Sequence, residues 1–424
     1  LPEAQWQELL SSTVDSVHQS LNLSKGKILR VVWFDRGNKN KSHRLLIVVH
    51  HLVIDGVSWR IVLEDLQTVY QQLCLGQSAQ LPPKTTSIQE WATSLQERFR
   101  AVKDQAAPNV QNDHIAEQQR LLDSNDNGTV GQTQQVSISL TPDQTQALLT
   151  DVPLAYNTGM DDVLLTALAG AIAQLFDLSS FQVDLEGHGR DAVNGSQSLP
   201  QVLPVGDWEP EVAVDVSRTI GWFTTITSLA LNTDYCRVGA AHQINGSASS
   251  KIADALKSIK EQIRQQKRSH SFTSNLADIS FNYLGQLAIA GESNLFSRAP
   301  ESSGCPISAD APRPYPLEII GAINPTPQRP KTSAKSAKSA DNSSTSQLTL
   351  TWAYNPQQIP PETIESFIQA FKTTLGTLID HCCSPEAGGH TPSDFPLAPL
   401  DQSALDSLLN RLNLNRVDNI YPLS

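Results

Sequence analysis

Two adjacent histidines and an aspartate lie where an apolar run of the chain gives way to a helical pattern. His50 and His51 follow the β-branched run Leu45–Val49, and Asp55 comes four residues after His51. The run predicts a buried strand that is covered on both faces. Beyond Asp55, apolar residues recur at spacings of three and four, which predicts a helix with Ser58 as its N-cap.

An imidazole at the end of a strand is suited to general acid–base chemistry, because a free imidazole titrates near neutral pH. Side chains alternate across a strand, so His50 and His51 should point to opposite sides, and at most one of them serves a given site. The alternation also argues against a metal site, which would need both imidazoles on one ion. For the motif taken alone, a structural histidine pair and a general base both stay open.

A second predicted strand ends in a carboxylate within a glycine-rich turn. Residues 181–191 read FQVDLEGHGRD, with Glu186 at the strand end and a glycine on each side of His188. Glycines permit a tight backbone path that turns side chains into a cleft. Taken alone, the pattern favours a solvated acid and a turn-filling histidine. A third strand carries Asn282 and Tyr283, and a buried tyrosine has a structural role by default.

Composition limits the classes of function. The 424 residues include 31 Lys and Arg against 43 Asp and Glu, for a net charge of −12. The sequence has no stripe of basic residues, which argues against nucleic-acid binding. The five cysteines have no zinc or disulfide spacing, which is typical of a reducing cytoplasmic protein. No apolar run has the length of a membrane span.

The length of the chain and the change in composition at residues 103–135 predict two lobes, and helices and strands are both predicted, as in an α/β protein. We expect an N-terminal lobe over residues 1–102, a polar connection over 103–135, a C-terminal lobe over 136–400 and a linker over 401–424. Helices are predicted at 6–21, 58–73, 87–99, 141–149, 161–176, 251–266 and 364–378. Strands are predicted at 27–34, 45–49, 136–140, 181–186 and 280–286, with a hairpin of LEIIGAI and QLTLTWAY around a low-complexity loop.

Four motifs in one order give the chain a family resemblance. HHLVIDGVSW (50–59), EGHGRD (186–191), RTIGWFT (218–224) and FNYLGQ (281–286) occur in this order in the epimerization domains of nonribosomal peptide synthetases, which this sequence resembles over most of its length. Condensation domains share the histidine motif but typically lack EGHGR and FNYLG. The resemblance implies two lobes like chloramphenicol acetyltransferase, each a mixed β-sheet with flanking helices, forming a V with a central tunnel.

The resemblance also implies the chemistry. Such domains invert the α-carbon of an aminoacyl or peptidyl thioester, which needs a base on one face and a proton donor on the other. The implied catalytic residues are His51, Glu186 and Tyr283, where Tyr283 would hold the thioester oxygen or orient Glu186. Which of the first two deprotonates the L form stays open. The implied supporting residues are His50, Asp55, Gly56, Asn282 and Arg190, with Asp55 paired to Arg190 or Arg60.

The implied substrate arrives on the 4'-phosphopantetheine arm of an upstream peptidyl carrier domain, and the domain itself needs no metal or organic cofactor. The ending DNIYPLS resembles the start of a following condensation domain. Two alternatives stay open: a condensation domain that forms peptide bonds, and a degenerate domain that only docks carriers.

The chain departs from the family pattern in three places. It lacks a family stretch before the histidine strand, which predicts open sheet edges in the first lobe. It also lacks a Pro- and Gly-rich segment after residue 266. The low-complexity loop and the segment 199–216 are predicted surface insertions.

Overall fold

The fold is given by a computed structural model. It describes residues 2–37, 42–105, 127–176, 178–190, 214–236, 248–269, 277–286, 297, 299–325, 346–398, 400–412, 417 and 419–421. The two predicted insertions lie almost wholly outside these residues, since residues 199–213 and 326–345 are not described. Residues 106–126, in the middle of the connection, also lie outside them.

The first lobe contains a two-stranded antiparallel sheet and three helices. In chain order these are α1 (Glu3–Gln19), β1 (Leu29–Phe34), β2 (Arg44–Val49), α2 (Gly56–Cys74) and α3 (Ile88–Gln105). The predicted helices and strands are confirmed, and α1 packs the apolar face of Trp6, Leu10 and Val14 toward the sheet. The helix α3 begins with reciprocal hydrogen bonds between Ser87 and Glu90.

The sheet of this lobe consists of two antiparallel strands. Two expectations for this lobe are wrong. The strand β2 is not covered on both faces, since only Val48 is fully buried and a two-stranded sheet has too few neighbours to cover it. The helix α2 begins before Ser58, because the Asp55 carboxylate accepts the Ser58 backbone N–H at 2.7 Å and is the N-cap.

The second lobe is built on a mixed six-stranded sheet. Its strands are β3 (Gln134–Ser139), β4 (Ser180–Gly187), β5 (Thr225–Asn232), β6 (Ile279–Gln286), β7 (Leu317–Pro325) and β8 (Ser346–Tyr354). Their order is β3-β8-β7-β6-β4-β5, with β6 parallel to both β4 and β7 and the other pairs antiparallel. The predicted hairpin of β7 and β8 is confirmed.

Four helices cover one face of this sheet. They are α4 (Pro142–Tyr156), α5 (Met160–Leu175), α6 (Ala248–Ser269) and α7 (Pro361–Cys382), and a last helix, α8 (Gln402–Leu412), follows. The predicted buried helix is α5, in which every residue from Asp162 to Ala173 is buried. Alternate residues of the strands, such as Val183, Leu185 and Phe281, join the helices in one core. The residues between them, including Glu186, therefore point to the other face.

Two segments of the second lobe reach the first lobe. Residues 214–223 lie along α2 and α3, where Thr86 N–H donates to the Asp215 carbonyl at 2.8 Å. Near residue 301 the chain meets the first sheet, because the Arg44 guanidinium donates two hydrogen bonds of 2.8 Å to Glu301. The predicted limits at 102 and 135 also differ from the elements, since α3 continues to Gln105 and β3 begins at Gln134.

Candidate active site

The predicted acid–base residues lie at the ends of two strands from different sheets. His51 follows β2 of the first sheet in a short turn, His51–Val53, and its side chain is exposed. Glu186 is next to last in β4 of the second sheet. The two groups are close enough for the charge of His51 to act on the ionisation of Glu186.

The two histidines have different contacts, and both lie just beyond the end of β2. His50 Nδ1 accepts the backbone N–H of Leu52 at 3.2 Å, so this imidazole holds the turn. The His51 ring lies beside the Trp222 indole, with ring centroids 5.9 Å apart and ring planes at 70°. His50 therefore has a structural contact, whereas the described ring contact of His51 is with Trp222.

A buried ion pair joins the two motifs that carry His51 and Glu186. Asp55 and Arg190 are 5% and 7% exposed, and Arg190 Nη2 donates to both Asp55 carboxylate oxygens at 3.1 and 3.2 Å. Arg190 Nη1 donates to the carbonyls of Val216 and Thr219 at 2.7 and 2.9 Å. The prediction that Asp55 pairs with an arginine is confirmed, and the partner is Arg190.

The surroundings of Asp55 favour its charged form. Burial opposes ionisation, but the N–H groups of Ser58 and Phe223 and the charge of Arg190 more than offset it, so the pKa of Asp55 lies below its ordinary value. The carboxylate caps α2 and also accepts the Phe223 backbone N–H at 3.2 Å. The described partners of the Asp55 carboxylate are backbone N–H groups and the Arg190 guanidinium, which gives Asp55 a structural role.

The glycines of the motifs differ in how strictly they are required. Gly189 has φ +64°, and a Cβ there would lie 1.7 Å from the Phe223 carbonyl oxygen. The EGHGRD turn therefore passes against residues 221–225 with no space for a side chain. At Gly56, by contrast, a Cβ would meet nothing within 4 Å, so sterics do not explain a glycine there.

Burial prepares Glu186 to carry a proton. It raises the pKa of the Glu186 carboxyl above its ordinary value, the charge of His51 works against this rise, and the carboxylate of Glu318 on β7 adds to it. A carboxyl group whose pKa is raised toward neutrality can both accept and donate a proton under physiological conditions. The imidazole of His51 is a second group that can both accept and donate a proton.

Asn282 and Tyr283 are neighbours in β6, so their side chains point to opposite faces of the sheet. Asn282 is the parallel register partner of Glu186, so both side chains lie on the same sheet face. Tyr283 points to the helix-covered face, where a Cβ on its register partner Gly321 would lie 3.4 Å from the Tyr283 ring. Burial and the charge of Asp161 raise the pKa of Tyr283 to about 12. Its placement favours packing over contact with Glu186, and its catalytic role stays a prediction.

The RTIGWFT segment, to which the sequence alone assigns no role, contacts α2 next to the histidine motif. Ser58 Oγ donates to the Gly221 carbonyl at 3.0 Å and accepts the Gly221 N–H at 3.1 Å. Arg218 pairs with Glu64 at 3.0 Å and with Asp65, both on α2. The signal was available in the motif itself, since a glycine followed by two aromatic residues is unusual in an otherwise polar segment.

Within the described ranges, no group of three or more His, Cys, Asp or Glu side chains is arranged to hold a metal ion. The helices in that part of the chain are also too short or too polar to cross a membrane.

The fold and the site place the chain in a known family. The condensation domain family matches residues 3–324, and the chain belongs to that family. Two of its relatives are proteins of linear gramicidin synthase from Brevibacillus parabrevis, to which it is 33% identical over 453 aligned residues and 34% identical over 443. These two relatives are subunits B and C of that synthase, and the matches cover 100% and 98% of this chain.

A solved structure of the same fold is the epimerization domain from the third module of tyrocidine synthetase B. The two chains are 27% identical, with a TM-score of 0.64 over 89% of this chain and 77% of that one. The chain spans only 8% and 5% of the two gramicidin synthase proteins. It therefore corresponds to one domain of those large enzymes.

Proposed function

We propose that this domain epimerizes the α-carbon, from L to D, of an aminoacyl or peptidyl thioester carried on the phosphopantetheine arm of a peptidyl carrier domain. The observation that carries the proposal is the buried Asp55–Arg190 ion pair, which joins the motif of His51 to the motif of Glu186, a carboxyl group whose pKa burial raises. The similarity to an epimerization domain of tyrocidine synthetase B supports the same reaction.

The two groups have complementary tasks in this reaction. One removes the α-proton, the C–H electron pair passes into an enolate of the thioester, and the other returns a proton to the opposite face of the carbon. The charge of the enolate must be stabilised while it exists. Asn282, beside Glu186 on the neighbouring strand, has an amide that can donate to an oxygen at this position.

The partners follow from the substrate. The thioester would be delivered by an upstream carrier domain and, after inversion, pass to a downstream condensation domain. The cofactor phosphopantetheine would belong to the carrier, and this domain would bind none of its own.

The proposal is tested by incubating the chain in D2O with a carrier domain loaded with an L-aminoacyl thioester. The released amino acid is analysed for mass and chirality. We expect deuterium at the α-carbon and a growing D fraction, both lost in His51→Ala and Glu186→Gln variants that remain folded. Several amino acids should be tried, because the sequence does not specify the side chain.

The alternatives give different results. Amide formation between two loaded carriers, without α-deuterium uptake, would identify a condensation domain. Neither reaction from a folded protein that binds the loaded carrier would indicate a docking domain.

A further inference from the structure

The backbone on both sides of Trp222 is held against the first lobe. Gly221 exchanges two hydrogen bonds with the Ser58 hydroxyl, of 3.0 and 3.1 Å, and Phe223 N–H donates to Asp55 at 3.2 Å. Trp222 therefore lies between two anchored residues, both bound to the first turn of α2. That helix starts five residues after His51.

Packing fixes the same stretch. A Cβ on Gly221 would lie 2.6 Å from the Cδ1 of Ile88, so the backbone lies directly on α3. Phe223 is 1% exposed and lies between the Arg190 guanidinium, 4.1 Å from its ring centroid, and the Trp91 ring at 4.8 Å. The residues on either side of Trp222 have little freedom to move.

The Trp222 side chain does not pack in the core. It is 45% exposed, and its described ring contact is with His51, at 5.9 Å and 70°. An edge-to-face arrangement at this separation is attractive and directional. A large apolar side chain that is held rigidly but left exposed is more consistent with a site than with packing.

His51 needs such a contact. The imidazole of a general acid or base is usually oriented by a hydrogen bond to one ring nitrogen. In the part of the chain that the structure describes, no hydrogen bond is made by the His51 ring, and its side chain is exposed. The described ring contact of His51 is the one with Trp222.

We propose that Trp222 is a positioning residue that orients the His51 imidazole for proton transfer through edge-to-face contact. This inference rests on the proposed epimerization. Loss of the indole would let the imidazole turn away from the α-carbon, and small misplacements of a reacting group can lower a rate about 100-fold.

Three variants test the inference. Trp222→Ala removes the ring, and Trp222→Phe keeps an aromatic face. Trp33→Ala is the matched control, because Trp33 is also exposed, at 59%, and is stacked on a histidine, His43, with centroids 5.0 Å apart in the first sheet. Inversion and α-proton exchange are measured separately, starting from the L and the D thioester.

The separate measurements distinguish positioning from damage to the fold. If each group serves one enantiomer, weakening His51 slows inversion while Glu186 still exchanges the α-proton of its own enantiomer. We expect Trp222→Ala to lower kcat about 10- to 100-fold with little change in KM and to retain this one-sided exchange. Trp222→Phe should recover most of the rate, and Trp33→Ala should match the wild type.

Two results would overturn the inference: a wild-type inversion rate in Trp222→Ala, or equal loss of exchange from both enantiomers. A readout independent of activity is the NMR shift of the His51 ring protons, which the indole ring current displaces. Trp222→Ala should move these signals, and unchanged signals would also overturn the inference. An inactive wild type with the expected signal change would instead reject only the proposed function.

Discussion

Arg190 binds Asp55 at 3.1 Å, and this ion pair holds the two motifs of the site at a fixed separation. His51 precedes Asp55 by four residues, and Glu186 precedes Arg190 by four. The pair therefore connects the strand end that carries the imidazole to the strand end that carries the carboxyl group. The relative position of His51 and Glu186 therefore depends on the Asp55–Arg190 ion pair, in which neither of them takes part.

Arg190→Ala should destabilise the domain strongly. It leaves the buried Asp55 charge without its partner and two backbone carbonyls without their donor. Removing one member of a buried pair typically costs about 3–5 kcal/mol. Urea unfolding at neutral pH measures the effect.

The matched control for Arg190→Ala is Arg218→Ala, which breaks a more exposed ion pair between the second lobe and α2. Its partner Glu64 is 52% exposed, so we expect a cost of about 0–1 kcal/mol. Equal urea midpoints for the two variants would show that the Asp55–Arg190 pair stabilises the domain no more than a surface ion pair does.

Gly189→Ala should be more damaging than a typical glycine substitution. The added Cβ would lie 1.7 Å from the Phe223 carbonyl oxygen, so the segment bearing Trp222 must move. The control is Gly76→Ala, where φ is +70° and a Cβ meets nothing within 4 Å. The backbone conformation alone costs the control about 1–2 kcal/mol. Thermal unfolding should place Gly189→Ala clearly below it, and similar melting temperatures would contradict the clash.

The sequence predicted the local structure well where one signal was strong. The periodicity of α1, the apolar circumference of α5 and the alternation in β7 and β8 each reflect the burial of one face or all faces. The N-cap of α2 was missed because Asp55 and Ser58 are both good capping residues, and only the backbone path decides between them.

The site was predictable only as separate motifs. The resemblance indicated His51 and Glu186, but no local pattern shows that residues 214–223 cross to the first lobe and bring Trp222 to His51. Such contacts join residues more than a hundred positions apart, and sequence periodicity carries no information at that separation. The placement of Tyr283 required the register of β6, which a single sequence does not contain.

Tyr283→Phe distinguishes packing from catalysis at this position. The ring lies over Gly321 on the core face, and a packing role predicts unchanged stability and an inversion rate close to that of the wild type, whereas the implied catalytic role predicts a lower rate. The deuterium assay on loaded carrier measures the rate. A large fall in kcat without loss of stability would show that the hydroxyl acts on the substrate after all.

Glu186→Gln should stabilise the domain at neutral pH while abolishing inversion. Burial raises the pKa of Glu186 above its ordinary value of 4.5 in the folded state, and the unfolded chain keeps the ordinary value. Between these two values the folded state binds more protons, so stability falls as pH rises through that window. Above the window the wild type retains the full cost of a buried charge, which the neutral amide avoids. Melting temperatures should therefore favour Glu186→Gln at pH 7 to 8, and this advantage should vanish below pH 4.5. Glu365→Gln on α7, an exposed position, should show no such crossover. A constant difference at every pH would mean that Glu186 is not strained by burial, and its candidacy as a proton carrier would lose its physical basis.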